Sequence, residues 1–170
     1  MSGRRSPPPA LKDSLSALFQ SGQYAQAEEA ALELTSRHPE DPFGWKVLGI
    51  LLAKNQRYAE ALIPMRKAVE LEPSNLSELN NLGIVLKELN HTIEAEEVYR
   101  SIIRKDPSLS EAYCNLGDLL RQQGRLSEAA RNLEKAVNLN SQLAPGYTNL
   151  GLVQRELGEL SQAEANFRAA

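Results

Sequence analysis

The sequence predicts an all-α array of antiparallel helix pairs, and three observations predict it. Asn-Leu-Gly stands at 81–83, 115–117 and 149–151, and the starts are 34 residues apart. Within each interval apolar residues recur three and four positions apart, which puts them on one face of a helix. Proline, glycine and asparagine punctuate the pattern, once between two helical stretches and once between intervals.

Taking Pro42 as slot one, the chain divides into 8–41, 42–75, 76–109, 110–143 and a partial unit 144–170. Slot four holds Leu11, Trp45, Leu79, Tyr113 and Tyr147, and slot seven holds Leu48, Leu82, Leu116 and Leu150 after Ser14. Slots four, seven, eight and eleven share a face of the first helix of each pair. Glycine at slot eight (Gly49, Gly83, Gly117, Gly151) costs roughly 1 kcal/mol of helix propensity against alanine. Its recurrence predicts a neighbouring element too close for a side chain. Alanine fills slot twenty every time, at Ala27, Ala61, Ala95, Ala129 and Ala163. Large residues Met65, Tyr99, Leu133 and Phe167 occupy slot twenty-four.

The boundaries are also written in residue types. In the second unit the helices are expected at Pro42 to about Gln56 and at Tyr58 to about Glu72. Asp41-Pro42 places a capping side chain before a proline at the first helical position. Ser108 with Glu111 reads as a capping box. Gly124, Gly158, Asn90 and Gln56 share the slot of the turn within each pair, and Pro64 falls inside a second helix, where a kink is expected. A lone pair cannot bury its apolar stripe, so neighbouring pairs must stack. Residues 1–7, inside the opening MSGRRSPPPA, form a disordered or polyproline-like lead-in.

This pattern resembles the tetratricopeptide repeat family over everything from about residue 8 to the end. The resemblance implies a right-handed superhelix with the first helices along its concave side. Function then belongs on that side, at slots two, five, nine, twelve and thirteen, with slot six at the edge.

Composition narrows the function. The chain has 170 residues with a net charge of −3, which gives no hint of the basic stripe of a nucleic-acid binder. It contains no apolar run of the ~18 residues that span a bilayer and no secretory signal, so membrane insertion is not expected and a cytoplasmic location follows by default. His38 and His91 lie in different units with no metal-ligand spacing, the glycines are single, and lone Cys114 reads as a helix-packing residue. Neither a cofactor nor an enzyme activity is expected of this chain.

The candidate binding residues are therefore on the first helices. Slot five holds Lys46, Asn80, Cys114 and Thr148, while slot nine holds Ile50, Ile84, Asp118 and Leu152. Slot twelve holds Ala53, Lys87, Arg121 and Arg155. Slot six holds Val47, then Asn81, Asn115 and Asn149. A primary amide donates and accepts, so it can grip a peptide bond without reading the side chain. The row of three is similar to the asparagine ladder in the superhelix of O-linked N-acetylglucosamine transferase, and that likeness implies an extended peptide as ligand. An edge amide can equally bond a nearby backbone group of its own chain. The basic slot-twelve column reads equally as a solvated face. Over the concave slots of units two to five, five basic residues (Lys46, Lys54, Lys87, Arg121, Arg155) meet four acidic ones (Glu88, Glu111, Asp118, Glu156), so the face is near neutral.

Two functions follow: a non-catalytic scaffold binding an extended peptide, or the substrate-recruiting N-terminal arm of a larger glycosyltransferase-like enzyme. A carboxylate clamp for acidic tails, by the same resemblance, is broken by Ile50, Glu111 and Asn115. The fifth unit stops at slot twenty-seven with Leu160, Ala163 and Phe167 on its second helix. An uncapped pair of this kind predicts either further chain or self-association through that end, against the alternative of a final turn that frays.

Overall fold

The computed structural model describes residues 7–170. The expected lead-in thus lies outside the described residues, except for Pro7. Ten α-helices are present among them: α1 Pro9–Gln20, α2 Tyr24–Arg37, α3 Pro42–Lys54, α4 Tyr58–Leu71, α5 Leu76–Glu88, α6 Thr92–Lys105, α7 Ser110–Gln122, α8 Leu126–Leu139, α9 Ala144–Leu157 and α10 Leu160–Ala169. The described chain is all-α, as the periodicity required.

Each within-pair turn contains one residue in the left-handed region: Gly22, Gln56, Asn90, Gly124 and Gly158, at φ between 60° and 83°. That conformation breaks the helix after α3 at Lys54, slightly earlier than the apolar pattern suggested. α4 runs without interruption through the buried Pro64.

The first helices are started differently along the chain. Asp41 caps α3 by accepting from the Phe43 N–H at 3.1 Å, and Asn75 caps α5 by accepting from Ser77 and Glu78. The expected capping box at Ser108 does not form. The residue before α7 is Leu109, which has no capping side chain, and Ser108 instead gives both its N–H and its hydroxyl to Asp106 Oδ1 at 2.9 and 2.6 Å. Asp106 competes for Ser108 because it can close a local turn two residues ahead of itself. Asn140 makes the same turn before α9 through the Gln142 N–H at 3.0 Å.

The packing divides the chain into two compact units, one ending at Asn90 and one starting at His91. The division falls in the turn between α5 and α6. In the first unit α3 packs on α4 and on the preceding α2, and α5 packs on α4. In the second, α7 packs on α8 and on the preceding α6, and α9 packs on α8 and α10.

The slot-eight glycines explain the tightness of the pairs α3–α4, α7–α8 and α9–α10. A Cβ on Gly117 would lie 2.5 Å from Leu133 Cγ, and one on Gly151 would lie 2.6 Å from the Phe167 ring. A Cβ on Gly49 would meet the Met65 side chain at 3.0 Å. The neighbour that excludes a side chain is thus the slot-twenty-four residue of the partner helix. Slot-twenty alanines Ala27, Ala61, Ala95, Ala129 and Ala163 are all buried. Slot three performs the corresponding task between pairs: Gly44 faces Leu34 and Thr35 of α2, and Gly146 faces Val137 of α8.

Candidate functional site

In the first unit slots nine and twelve of α3 and slot nine of α5 are apolar, as Ile50, Ala53 and Ile84. Ile50, Ala53, Lys54, Met65, Asn81, Ile84 and Val85 line an open pocket of about 220 Å³. Helical spacing assembles it. Ile50 and Ala53 are three apart on α3, and Asn81, Ile84 and Val85 are three and four apart on α5. Met65 forms the floor, because glycine at position 49 lets it lie flat between the helices.

Asn81 is half-buried at this pocket and makes no side-chain hydrogen bond among the described residues. Its donor and acceptor are therefore available to a ligand. The lysines nearby are engaged elsewhere. Lys54 donates to the Tyr24 hydroxyl and lies 4.2 Å from that ring's centroid. Lys46 Nζ is 2.6 Å from Glu78 Oε1.

Glu78 is the residue that sequence reasoning missed. It occupies slot three, where the other units have Ala10, Gly44, Ala112 and Gly146, and its side chain is 1% exposed. The ammonium stands at ion-pair distance but off the direction a hydrogen bond requires. Both carboxylate oxygens thus lack a hydrogen-bond partner among the described residues. The signal was present: one carboxylate in a column of small residues, with a lysine one unit earlier to neutralise it. Lys87, also a candidate, is mostly buried and 3.7 Å from Glu88, and Asn80 is half-buried.

The second unit uses the same slots for a polar network. Asp118 accepts from Arg121 at 3.1 Å and from the Gln122 amide at 3.1 Å, and Arg121 reaches Glu156 at 3.1 Å. Burial works against the Arg121 charge, but the bonds to Asp118 and Glu156 outweigh it and raise the guanidinium pKa further. Asn115 and Asn149 are half-buried. Asn149 points its amide at Cys114 Sγ, 3.8 Å away, and Cys114 is buried as a packing residue. Arg155 is exposed. Slot five therefore does not hold one kind of surface residue: Thr148 is exposed, Cys114 is interior, and Lys46 serves Glu78.

A second motif lies on the other helix of each pair. Arg57, in the turn before α4, bonds Glu60 and Glu28 at 2.7–2.9 Å. Arg125, before α8, bonds Glu128 and Glu96 at 2.6–2.8 Å, with Arg100 also on Glu96. At the end of the second unit Leu160 and Phe167 are 67% and 40% exposed. Among the described residues no three His, Cys, Asp or Glu side chains converge as a metal site would need. No helix of the described chain is long and apolar enough to cross a membrane.

Helix pairs with alanine at slot twenty and, from the second unit on, glycine at slot eight, repeated at this interval, define a tetratricopeptide array. Tetratricopeptide repeat models match residues 14–75 and 98–131, and a TPR repeat model matches 117–158, together more than half of the sequence. The chain belongs to the tetratricopeptide repeat family. Among solved structures it is similar to MamA from Desulfovibrio magneticus RS-1, with 22% identity, a TM-score of 0.83, and coverage of 94% of this chain and 90% of that one. It is also similar to PilF of Pseudomonas aeruginosa, with 20% identity, a TM-score of 0.80, and coverage of 94% and 73%. A third is YrrB, described as a TPR protein with an unusual peptide-binding site, with 17% identity, a TM-score of 0.75, and coverage of 94% and 82%. At such identities the likeness is one of fold. No curated protein matches the sequence.

Proposed function

We propose that the chain is a non-catalytic interaction scaffold that holds an extended peptide segment against its first helices. Asn81 in the first unit, and Asn115 and Asn149 in the second, supply the backbone contacts. The observation that carries this reading is the Asn81 amide. It is half-buried, bonded to no side-chain partner among the described residues, and set beside an open apolar pocket. No side chain engages this amide and water reaches it, so in the free protein both its donor and its acceptor are solvated. A peptide bond can take the place of that water, since it offers one donor and one acceptor to match. The peptide-binding site attributed to YrrB, a fold relative, is consistent with this use of the architecture.

The test is the triple variant Asn81→Ala, Asn115→Ala, Asn149→Ala, assayed with octapeptides selected by display on the unaltered chain. Each lost amide contact is expected to cost about 1 kcal/mol of binding, so affinity should fall roughly 100-fold while the melting temperature holds. Unchanged affinity, or a collapsed melting temperature, rejects the reading.

A further inference from the structure

We propose that the pocket beside Asn81 is a specificity subsite that takes one aliphatic side chain of the bound peptide. That side chain belongs to the residue whose peptide bond Asn81 grips. This rests on the peptide-holding reading above and adds which peptides are held.

Three observations carry it. The walls and floor are hydrocarbon: Ile50 and Ile84 stand on α3 and α5, Ala53 leaves the space open between them, and Met65, 2% exposed, closes the bottom. The polar group at the rim is a neutral amide, which matches a main-chain amide rather than a charged head group. The cation that lines the pocket, Lys54, is drawn to the hydroxyl and ring of Tyr24, and Lys46 is held by Glu78. A carboxylate entering here would lose its hydration against the hydrocarbon walls and would have to draw the Lys54 ammonium away from the Tyr24 ring, and a lysine would face the charge of Lys54. A leucine, isoleucine or methionine side chain loses nothing of that kind and gains the burial of its apolar surface.

The slot pattern also fixes where this selectivity resides. In the second unit the slot-nine and slot-twelve positions of α7 are Asp118 and Arg121, tied to each other and to Glu156. An aliphatic side chain placed there would meet charge. The subsite therefore belongs to the first unit.

The probes are three blocked peptides, acetyl-Ala-Leu-Ala-methylamide and its Gly and Asp counterparts. They are titrated into the full chain while the Ile50 and Ile84 methyl signals and the Asn81 side-chain amide signal are followed by NMR. The leucine probe is expected to move all three signals and to bind at least about tenfold more tightly than the glycine or aspartate probe. Ala53→Leu, which fills the pocket without removing a contact, should erase that preference and leave the glycine probe unchanged. Equal affinities with Asn81 moving overturn the subsite while leaving peptide holding intact. Methyl shifts without a shift at Asn81 overturn the coupling of pocket to amide. No shift with any probe overturns both.

Discussion

The two units answer the same slots with opposite chemistry. In the first, slots nine and twelve of α3 hold Ile50 and Ala53, and Asn81 overlooks the pocket they form with its amide uncommitted. In the second, the same slots of α7 hold Asp118 and Arg121, locked to Glu156 and Gln122, and Asn149 directs one amide N–H at Cys114. The charge that the first unit carries is hidden in slot three, as Glu78 beneath Lys46. One backbone pattern thus supports an apolar face and an ion-paired one. The difference shows that a repeat register specifies where a side chain stands, not whether it is spoken for.

The largest effect should come from breaking the hidden pair. Lys46→Met leaves Glu78 buried without a counter-charge and should cost about 3–5 kcal/mol in denaturant unfolding. Arg121→Met in the second unit should cost only about 1 kcal/mol, since Asp118 and Glu156 reach water. Adding Glu78→Leu to Lys46→Met should restore most of the loss. If Lys46→Met and Arg121→Met prove equally mild, Glu78 is hydrated and the contrast between units fails.

A smaller difference is expected inside the second unit. Gly117→Ala drives a methyl into Leu133, which is fully buried, and should cost about 1–3 kcal/mol beyond any gain in helix propensity. Gly151→Ala meets Phe167, whose ring is 40% exposed and can turn away, so its effect should stay within about 1 kcal/mol of zero. Thermal melts of the two variants decide it, and equal losses would mean that Phe167 is as confined as Leu133.

The smallest effect concerns a turn in which the first unit departs from Gly22, Gly124 and Gly158. Gln56 adopts φ 60°, where a side chain is strained. Gln56→Gly should stabilise the chain by up to about 1 kcal/mol, seen as a rise in melting temperature. A fall would show that the glutamine side chain contributes more than its backbone strain costs.

How much of this was legible in the sequence depends on the kind of interaction. The helix pairs and their turns follow from periodicity and from residues such as Gly124 and Asn90, because those are local consequences of backbone sterics. The identity of the close neighbour at slot eight needed coordinates, although Met65, Leu133 and Phe167 were visible as the large residues in line for it. Capping at Ser108 was misjudged because Asp106, two residues away, bids for the same N–H, and local competition of that sort turns on fine geometry. Among the candidate site residues, Asn81 and Asn149 read alike in sequence. Only packing shows that one amide faces a pocket and the other faces a sulfur. Lys46 looked like a groove residue because Glu78, its reason for being there, sits 32 positions away on another helix.

The ion pairs between successive helix pairs have a mechanical meaning. In the first unit one joins second helices, Arg57 to Glu28, and the next joins first helices, Lys46 to Glu78. The second unit repeats that alternation with Arg125 to Glu96 and Arg121 to Glu156. A stack of helix pairs flexes by parting one row while compressing the other, so each unit carries a brace against bending in either direction. The two braces of the first unit have cations of similar exposure, Arg57 at 40% and Lys46 at 38%, and differ in their anions, Glu28 at 19% against Glu78 at 1%. Added electrolyte screens the anion that water reaches more than the one it does not. Rising ionic strength is therefore expected to loosen the second-helix row of the first unit more than the row that bears Asn81.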